Sequence, residues 1–232
     1  MNRKFLALAP ILAASSIIKQ NKKLKLTKTT LDFNNLPDSF DNFKIAQVSD
    51  IHCDKVGLSD LAFLSKIRKF SPDIIVITGD ILDSYKNDMD IAYNILSQLS
   101  IIAPCYFISG NHELRLPKEY AELKTMLSKL KITHLHNENI LLNRNQDFIN
   151  LVGVEDYNFF KNKDNLNHRA NFKKTLDNLY SSEYFNILLS HRPEKFPIYV
   201  EAKYDLIFSL SPLHKTFFTE EIKGKKVLDV GA

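Results

Sequence analysis

The chain has 232 residues, 44% of them hydrophobic and 25% charged, with two cysteines. That is enough apolar material for one domain with a full core and too much for a disordered chain. Two cysteines exclude a disulfide-dense scaffold and an all-cysteine zinc module. The formal charge of +4 is unevenly spread: residues 1–30 hold seven bases and no acid, leaving 24 bases against 27 acids in the rest. A basic nucleic-acid groove in the body of the protein is therefore not expected, and nucleic acid is not an expected partner.

The N-terminal arm reads as a targeting segment. Arg3 and Lys4 precede an apolar and small-residue stretch over 5–18, with Ala13, Ala14, Ser15 and Ser16 near its end. This is the layout of a secretory signal, and the stretch falls short of the ~18 apolar residues of a confident membrane span. Ile17 and Ile18 follow the small residues and spoil the cleavage pattern, so an uncleaved anchor is the second reading, with Lys19, Lys22, Lys23, Lys25 and Lys28 on anionic headgroups. A first helix packed on the domain is the plain alternative. The expectation is a signal or anchor over 1–30, a domain over 31–232, a membrane surface as partner of the arm, and a membrane-associated or secreted protein.

From Lys44 onward, short apolar runs alternate with helical patterns. Residues 44–49 predict a strand. Leu61, Leu64, Ile67 and Phe70 recur at three-residue spacing and predict a helix over 59–70, closed by Pro72. The unbroken apolar run in 73–78 suits a strand buried on both faces. A helix over 89–99 and a strand over 105–108 follow. Pro117 near N1, with Tyr120, Leu123, Met126, Leu127 and Leu130 on one face, predicts a helix over 117–130. Strands over 140–142 and 149–154, an Asn- and Lys-rich loop over 158–167, a helix over 168–180, a strand over 185–189, a short helix near Glu194 and a strand over 206–208 complete the series. This alternation argues an α/β architecture with much parallel pairing.

Three of the strands end in polar groups that packing does not explain: Asp50-Ile-His52, Gly79-Asp80-Ile-Leu-Asp83 and Gly110-Asn111-His112-Glu113. In open α/β sheets the carboxyl ends of strands bind ligands. Carboxylates, imidazole and an amide oxygen converging there suit hard or borderline divalent cations. An extended chain would point Asp50 and His52 the same way, and Asp80 has two oxygens with which to bridge two ions. A fourth histidine stands just past an apolar strand in Ser190-His191-Arg192-Pro193. There are 27 residues between His52 and Asp80 and 30 between Asp80 and Asn111, room for one helix and one strand each. His134, His136 and His168 read as ordinary polar residues, and Cys53 as a buried thiol. A zinc protease is a poor third reading, because His-Glu-x-x-His is lacking.

Together these motifs resemble the calcineurin-like metallophosphoesterases, in their bacterial membrane-associated or secreted phosphodiesterase branch. The resemblance covers about residues 44–209. It implies a β-sandwich of two mixed sheets flanked by helices, and a dinuclear centre of two divalent ions (Mn, Fe or Zn) that activates water against a phosphodiester or pyrophosphate of a small molecule or lipid. It assigns Asp50, His52 and Asp80 to one metal, and Asp80, Asn111 and His191 to the other. It gives His112 the substrate, as stabiliser or general acid, and makes Asp83 and Glu113 orienting residues, with Glu113 fixing the His112 tautomer. Asn111 also counts among the substrate contacts. Arg192 is a candidate phosphate contact, since guanidinium matches phosphate oxygens, or else a cap for the helix at Pro193.

The resemblance breaks at one place. The family pattern runs from a strand into Gly-His-x-His, which supplies a histidine to each metal; here the chain reads Leu210-Ser211-Pro212-Leu213, then His214. His214 sits one place beyond the second histidine and is the remaining candidate ligand. Residues 216–232 match no part of the pattern, so the C-terminal part is expected to be atypical or truncated. The alternative function is a catalytically silent protein of this fold acting in binding.

Overall fold

The computed structural model describes residues 26–53, 62–84, 88–160, 167–209, 217–223 and 226–229. The N-terminal arm up to residue 25 and His214 lie outside these. In chain order the strands are β1 (Leu26–Leu31), β2 (Phe43–Val48), β3 (Ile74–Ile77), β4 (Cys105–Phe107), β5 (Thr133–His134), β6 (Glu138–Arg144), β7 (Asp147–Gly153), β8 (Phe185–Leu189), β9 (Leu206–Phe208), β10 (Phe217–Lys223) and β11 (Lys226–Asp229). The helices are α1 (Ala62–Phe70), α2 (Met89–Ile102), α3 (Asn111–Arg115), α4 (Pro117–Lys129), α5 (His168–Leu179) and α6 (Phe196–Glu201).

The strands form two mixed sheets, one ordered β1-β11-β10-β2-β3-β4-β5 and one ordered β6-β7-β8-β9. β2, β3, β4 and β5 run parallel, as do β7, β8 and β9. The parallel pairs are joined through helices, which is why so many helical patterns separate the apolar runs. Alternation along each strand divides the side chains between layers. Ile45, Ile74, Val76, Tyr106 and Ile108 meet Leu151, Ile187, Leu189 and Phe208 between the sheets. Ala46, Val48, Ile75, Ile77 and Phe107 turn the other way, against Leu64 and Ile67 of α1, Ile95 and Leu99 of α2, and Leu123 and Leu127 of α4. The second sheet backs onto Phe172 and Leu176 of α5 and Tyr199 of α6. The expected sandwich with flanking helices is present.

The strands expected from Lys44 to Phe208 all occur, with ends shifted by one or two residues. Five elements were not expected, one of them the two-residue β5. β1 begins at Leu26, inside the stretch set apart as an arm, so the fold takes in five residues assigned to targeting. α3 is a single turn and a half. β10 and β11 lie in the C-terminal stretch that matched no motif; β10 pairs with β2 across Phe217–Val48 to Ile222–Phe43, and β11 pairs with β1 and β10.

Candidate metal centre

Because β2, β3 and β4 are parallel neighbours, their carboxyl ends open on one side, and three of the motifs meet there. The chain beyond β2 is not extended. Asp50 and His52 both adopt left-handed backbone, with φ of 53° and 42°, and Asp80 does the same at 54°. The extended-chain reason for Asp50 and His52 sharing an ion is therefore wrong; two left-handed turns bring them together instead. Such conformations cost of order 1–3 kcal/mol each in a non-glycine residue and persist only where the surroundings impose them. Here the loop after β2 is laced to the loop after β3. Asp50 N–H donates to the Gly79 carbonyl (3.2 Å), His52 N–H to that of Asp80 (3.0 Å) and Cys53 N–H to that of Ile81 (2.9 Å).

The β3 and β4 loops also pack too closely for side chains between them. A Cβ on Gly79, itself at φ +93°, would stand 2.5 Å from Gly110 N; one on Gly110 would stand 2.2 Å from Asp80 Oδ1. Glu113 closes this contact. Fully buried at N3 of α3, it accepts the N–H of Gly110 (2.7 Å), Asp80 (2.9 Å) and Leu82 (3.0 Å). The Gly110 bond is the half of a capping box that the third residue supplies. Glu113 thus binds two loops into one body, and the expectation that it fixes the His112 ring is corrected. That ring is held by Ser84, whose N–H and hydroxyl both lie 2.9 Å from His112 Nδ1. Sequence reasoning missed Ser84; its adjacency to Asp83 was the sole signal.

The three histidines differ in what their rings present. His191 Nδ1 donates to the Thr78 carbonyl (2.8 Å), and His52 Nδ1 to that of Leu82 (3.2 Å). Both therefore present an unprotonated Nε2 when neutral. His52 Nε2 lies 3.7 Å from Asp50 Oδ1, and His191 Nε2 lies 3.4 Å from Asp80 Oδ2. In His112 the Ser84 N–H takes Nδ1, so the proton sits on Nε2, 3.8 Å from Asp80 Oδ2. The His112 and His52 rings meet edge-on at 4.5 Å. Asp80 gives Oδ1 to the His112 N–H (2.9 Å) and keeps Oδ2 for the cavity.

A divalent cation fits this donor set. Asp50 Oδ2 is buried and makes no hydrogen bond, a costly state for a polar atom unless something else binds it, and buried His191 Nε2 faces Asp80 Oδ2 at 3.4 Å. Asp50, His52 and Asp80 each bring a ligand atom within 4.8 Å of the others'. His52, Asp83 and His112 do so as well, but the proton that Ser84 forces onto His112 Nε2 removes that ring as a ligand. Asp83 Oδ2 lies 3.6 Å from His52 Nδ1, suited to orienting that ring. Asn111 opens α3 beside His112 and is half-buried.

Electrostatics follow from burial and pairing. Burial raises the pKa of Asp50 despite His191 nearby. For Asp80 burial works the same way, but His191 and His112 together outweigh it and the pKa is lowered. Burial opposes a charge on His191, yet Asp80 and then Asp50 prevail and hold its pKa at about 9. This folded value exceeds that of an unfolded histidine. The ion pair's stabilisation in the metal-free chain is thus complete below pH 6.5 and lost as pH rises through about 9. A cation at Nε2 must displace the same proton. Its affinity is expected to rise roughly tenfold per pH unit toward pH 9 and to level off above it. Calorimetric titration across that range checks this, and a flat profile would remove His191 from the ligands.

The loop carrying His191 is pinned from behind. The hydroxyl of buried Tyr199 donates to the Arg192 carbonyl (2.6 Å) and so accepts from Ser190 Oγ (2.7 Å). Arg192 makes two bonds to buried Asp156, through Nε and through an amino group (3.3 Å), and its other amino group lies 3.7 Å from Glu194. Its fork is thus engaged within the protein, an arrangement that positions the loop. Neither Tyr199 nor Asp156 carried a signal in the sequence. Tyr199→Phe leaves the Arg192 carbonyl and the Ser190 hydroxyl without that partner. Metal affinity is expected to fall by ~10-fold, the lower end for a residue that orients a ligand, with the circular dichroism spectrum unchanged.

A profile of the calcineurin-like phosphoesterase family matches residues 43–213, and the chain belongs to that family. It is 28% identical over 213 residues to a bovine (Bos taurus) transmembrane protein with metallophosphoesterase domain, covering 87% of this chain and 46% of that one. It is 25% identical over 210 residues to YkoQ, a Bacillus subtilis metallophosphoesterase, covering 88% of this chain and 74% of YkoQ. The chain thus spans about half the length of the bovine relative. Among solved structures, the 5'-nucleotidase precursor of Thermus thermophilus superposes with a TM-score of 0.53 at 13% identity, covering 82% of this chain and 53% of that one, which shows the shared fold.

Proposed function

We propose that the protein is a metal-dependent phosphoesterase whose dinuclear centre (Mn, Fe or Zn) hydrolyses a phosphodiester or pyrophosphate of a small-molecule or lipid substrate. The observation that carries this is the buried Asp50 Oδ2, which makes no hydrogen bond, together with buried His191 Nε2, which faces the carboxylate of Asp80 at 3.4 Å. Asp50, His52 and Asp80 would hold one cation, and Asp80, Asn111 and His191 the other. Bound there, two divalent ions lower the pKa of water and neutralise phosphoryl charge. The chain's own groups do the rest. Thr78 and Leu82 hold His191 and His52 in the ligating tautomer. His112 presents Nε2–H to a substrate oxygen, and burial keeps its pKa below the ordinary value. With Ser84 N–H on Nδ1, that ring has no room for a second proton, which favours hydrogen-bond donation over general-acid transfer. Arg192, held by Asp156, positions the His191 loop and contacts phosphate only secondarily.

The membrane is proposed as the setting, on the strength of the basic and apolar N-terminal arm and the bovine relative's description as a transmembrane protein. Among the described residues no helix is long and apolar enough to cross a bilayer. The second reading, a silent binding protein, rests on the Leu210-Ser211-Pro212-Leu213 that replaces the last motif. Assaying the metal-free full chain against a bis-aryl phosphodiester and a pyrophosphate diester distinguishes the two. Slow turnover that appears with millimolar Mn²⁺ and vanishes with chelator is the expected result. Tight metal binding with no turnover on either ester under Mn, Fe or Zn would leave the binding protein.

A further inference from the structure

β6 is the outermost strand of the four-stranded sheet, and among the described residues nothing pairs with its outer edge. Proteins commonly blunt such edges by keeping them short or by placing charge, proline or a bulge on them. The other edge strand of this sheet, β9, has three residues, and β5, at the edge of the larger sheet, has two. β6 has seven, and its central five, Asn139, Ile140, Leu141, Leu142 and Asn143, include neither charge nor proline. Only its ends are charged, with opposite signs: Glu138 and Arg144.

The order of those residues is self-complementary. We propose that two copies of the chain join by antiparallel pairing of their β6 strands about a two-fold axis through Leu141. In that register Glu138 lies opposite the partner's Arg144, Asn139 opposite the partner's Asn143, and Ile140 opposite the partner's Leu142, while Leu141 meets the partner's Leu141. Opposite charges and matched apolar pairs across strands each contribute roughly 0.2–1 kcal/mol, and every pair occurs twice except that of Leu141 with itself on the axis. The faces agree as well. Leu142 is buried in the layer between the sheets and Ile140 packs against it, so pairing carries that layer across the axis. Leu141 and Phe148, exposed at 41% and 37%, share the outer face, because Phe148 stands opposite Asn143 in the β6–β7 register. Arg144 is seated over the Phe43 ring and reaches the Asp41 carbonyl with one amino group; a guanidinium has five donors, which leaves others for an acid. The result is a closed dimer with one continuous sheet, in which both long edges are used and the three-residue β9 stands at each end.

The test uses the full chain in solution. Light scattering is expected to give the mass of a dimer. Leu141→Cys, mildly oxidised, is expected to form a covalent dimer, whereas Ile101→Cys, on α2 and 78% exposed, should not. Glu138→Arg sets like charges opposite each other at both ends and should weaken the dimer by roughly tenfold or more, while Glu138→Arg with Arg144→Glu should restore it. Circular dichroism verifies that each variant folds. A monomer at every concentration would overturn the proposal. So would a dimer indifferent to Glu138→Arg, which would place the contact elsewhere. A monomer whose β6 amides nevertheless exchange slowly would also refute it, by showing that this chain covers its own edge. None of these outcomes depends on the metal centre.

Discussion

Asp80→Asn is expected to abolish divalent-metal binding while leaving the protein folded. The reason lies in the division of labour between its two oxygens. Oδ1 accepts the His112 N–H at 2.9 Å and so helps to hold α3 against the β3 loop. An asparagine carbonyl can make the same bond. Oδ2, which faces His191 Nε2 at 3.4 Å and His112 Nε2 at 3.8 Å, would become an NH₂ group. That group donates to His191 Nε2 and occupies the lone pair a cation needs. The substitution thus removes the carboxylate proposed for both ligand sets and blocks one imidazole. Loss of a residue that merely orients a ligand costs ~10–100-fold in affinity, and this change should exceed the upper figure. Metal content after dialysis is the measurement. Retention equal to that of the parent would end the bridging role of Asp80 and, with it, the dinuclear reading.

The location of the site was legible because each motif follows an apolar run, and parallel neighbours must place the ends of those runs side by side. Asp50, His52, Asp80, Asp83, His112 and Glu113 converge for that reason, whereas His191 follows β8 of the other sheet and comes to within 3.4 Å of Asp80 from there. The sequence could not disclose how they are held. Left-handed turns at Asp50, His52 and Asp80 depend on bonds between loops some thirty residues apart, and an aspartate or histidine in such a turn looks like any other. Glu113 suggested a partner for its neighbour His112, but burial turned its carboxylate toward three backbone amides. Tyr199 resembles one more apolar residue of a short helix until the Ser190 and Arg192 groups are seen on either side of it. β10 and β11 were hidden because 217–223 reads Phe-Phe-Thr-Glu-Glu-Ile-Lys, without the alternation that marks a strand. β1 was masked by the positive charge of the arm beside it.

His112→Ala and His112→Gln are expected to part company, and their separation tests how the ring acts. Both should bind metal as the parent does, because Ser84 keeps the His112 proton on Nε2 and the ring out of the ligand set. Alanine leaves nothing where Nε2–H stood, and turnover should fall by about 10²–10³-fold, the usual cost of losing one donor to developing charge. Glutamine can place an amide N–H near the position of Nε2, so it should recover much of that loss. A general acid would behave differently: an amide cannot give up a proton, and glutamine would be as slow as alanine. The pH profile supplies a second readout. A donor fixed in the neutral form by a backbone N–H contributes no acid limb of its own, so the parent and His112→Gln should share the shape of their profiles. Equal rates for the glutamine and alanine variants, with an acid limb lost in both, would show that the ring gains and gives a proton in spite of Ser84. A loss of metal in His112→Ala as large as in His52→Ala would instead make it a ligand.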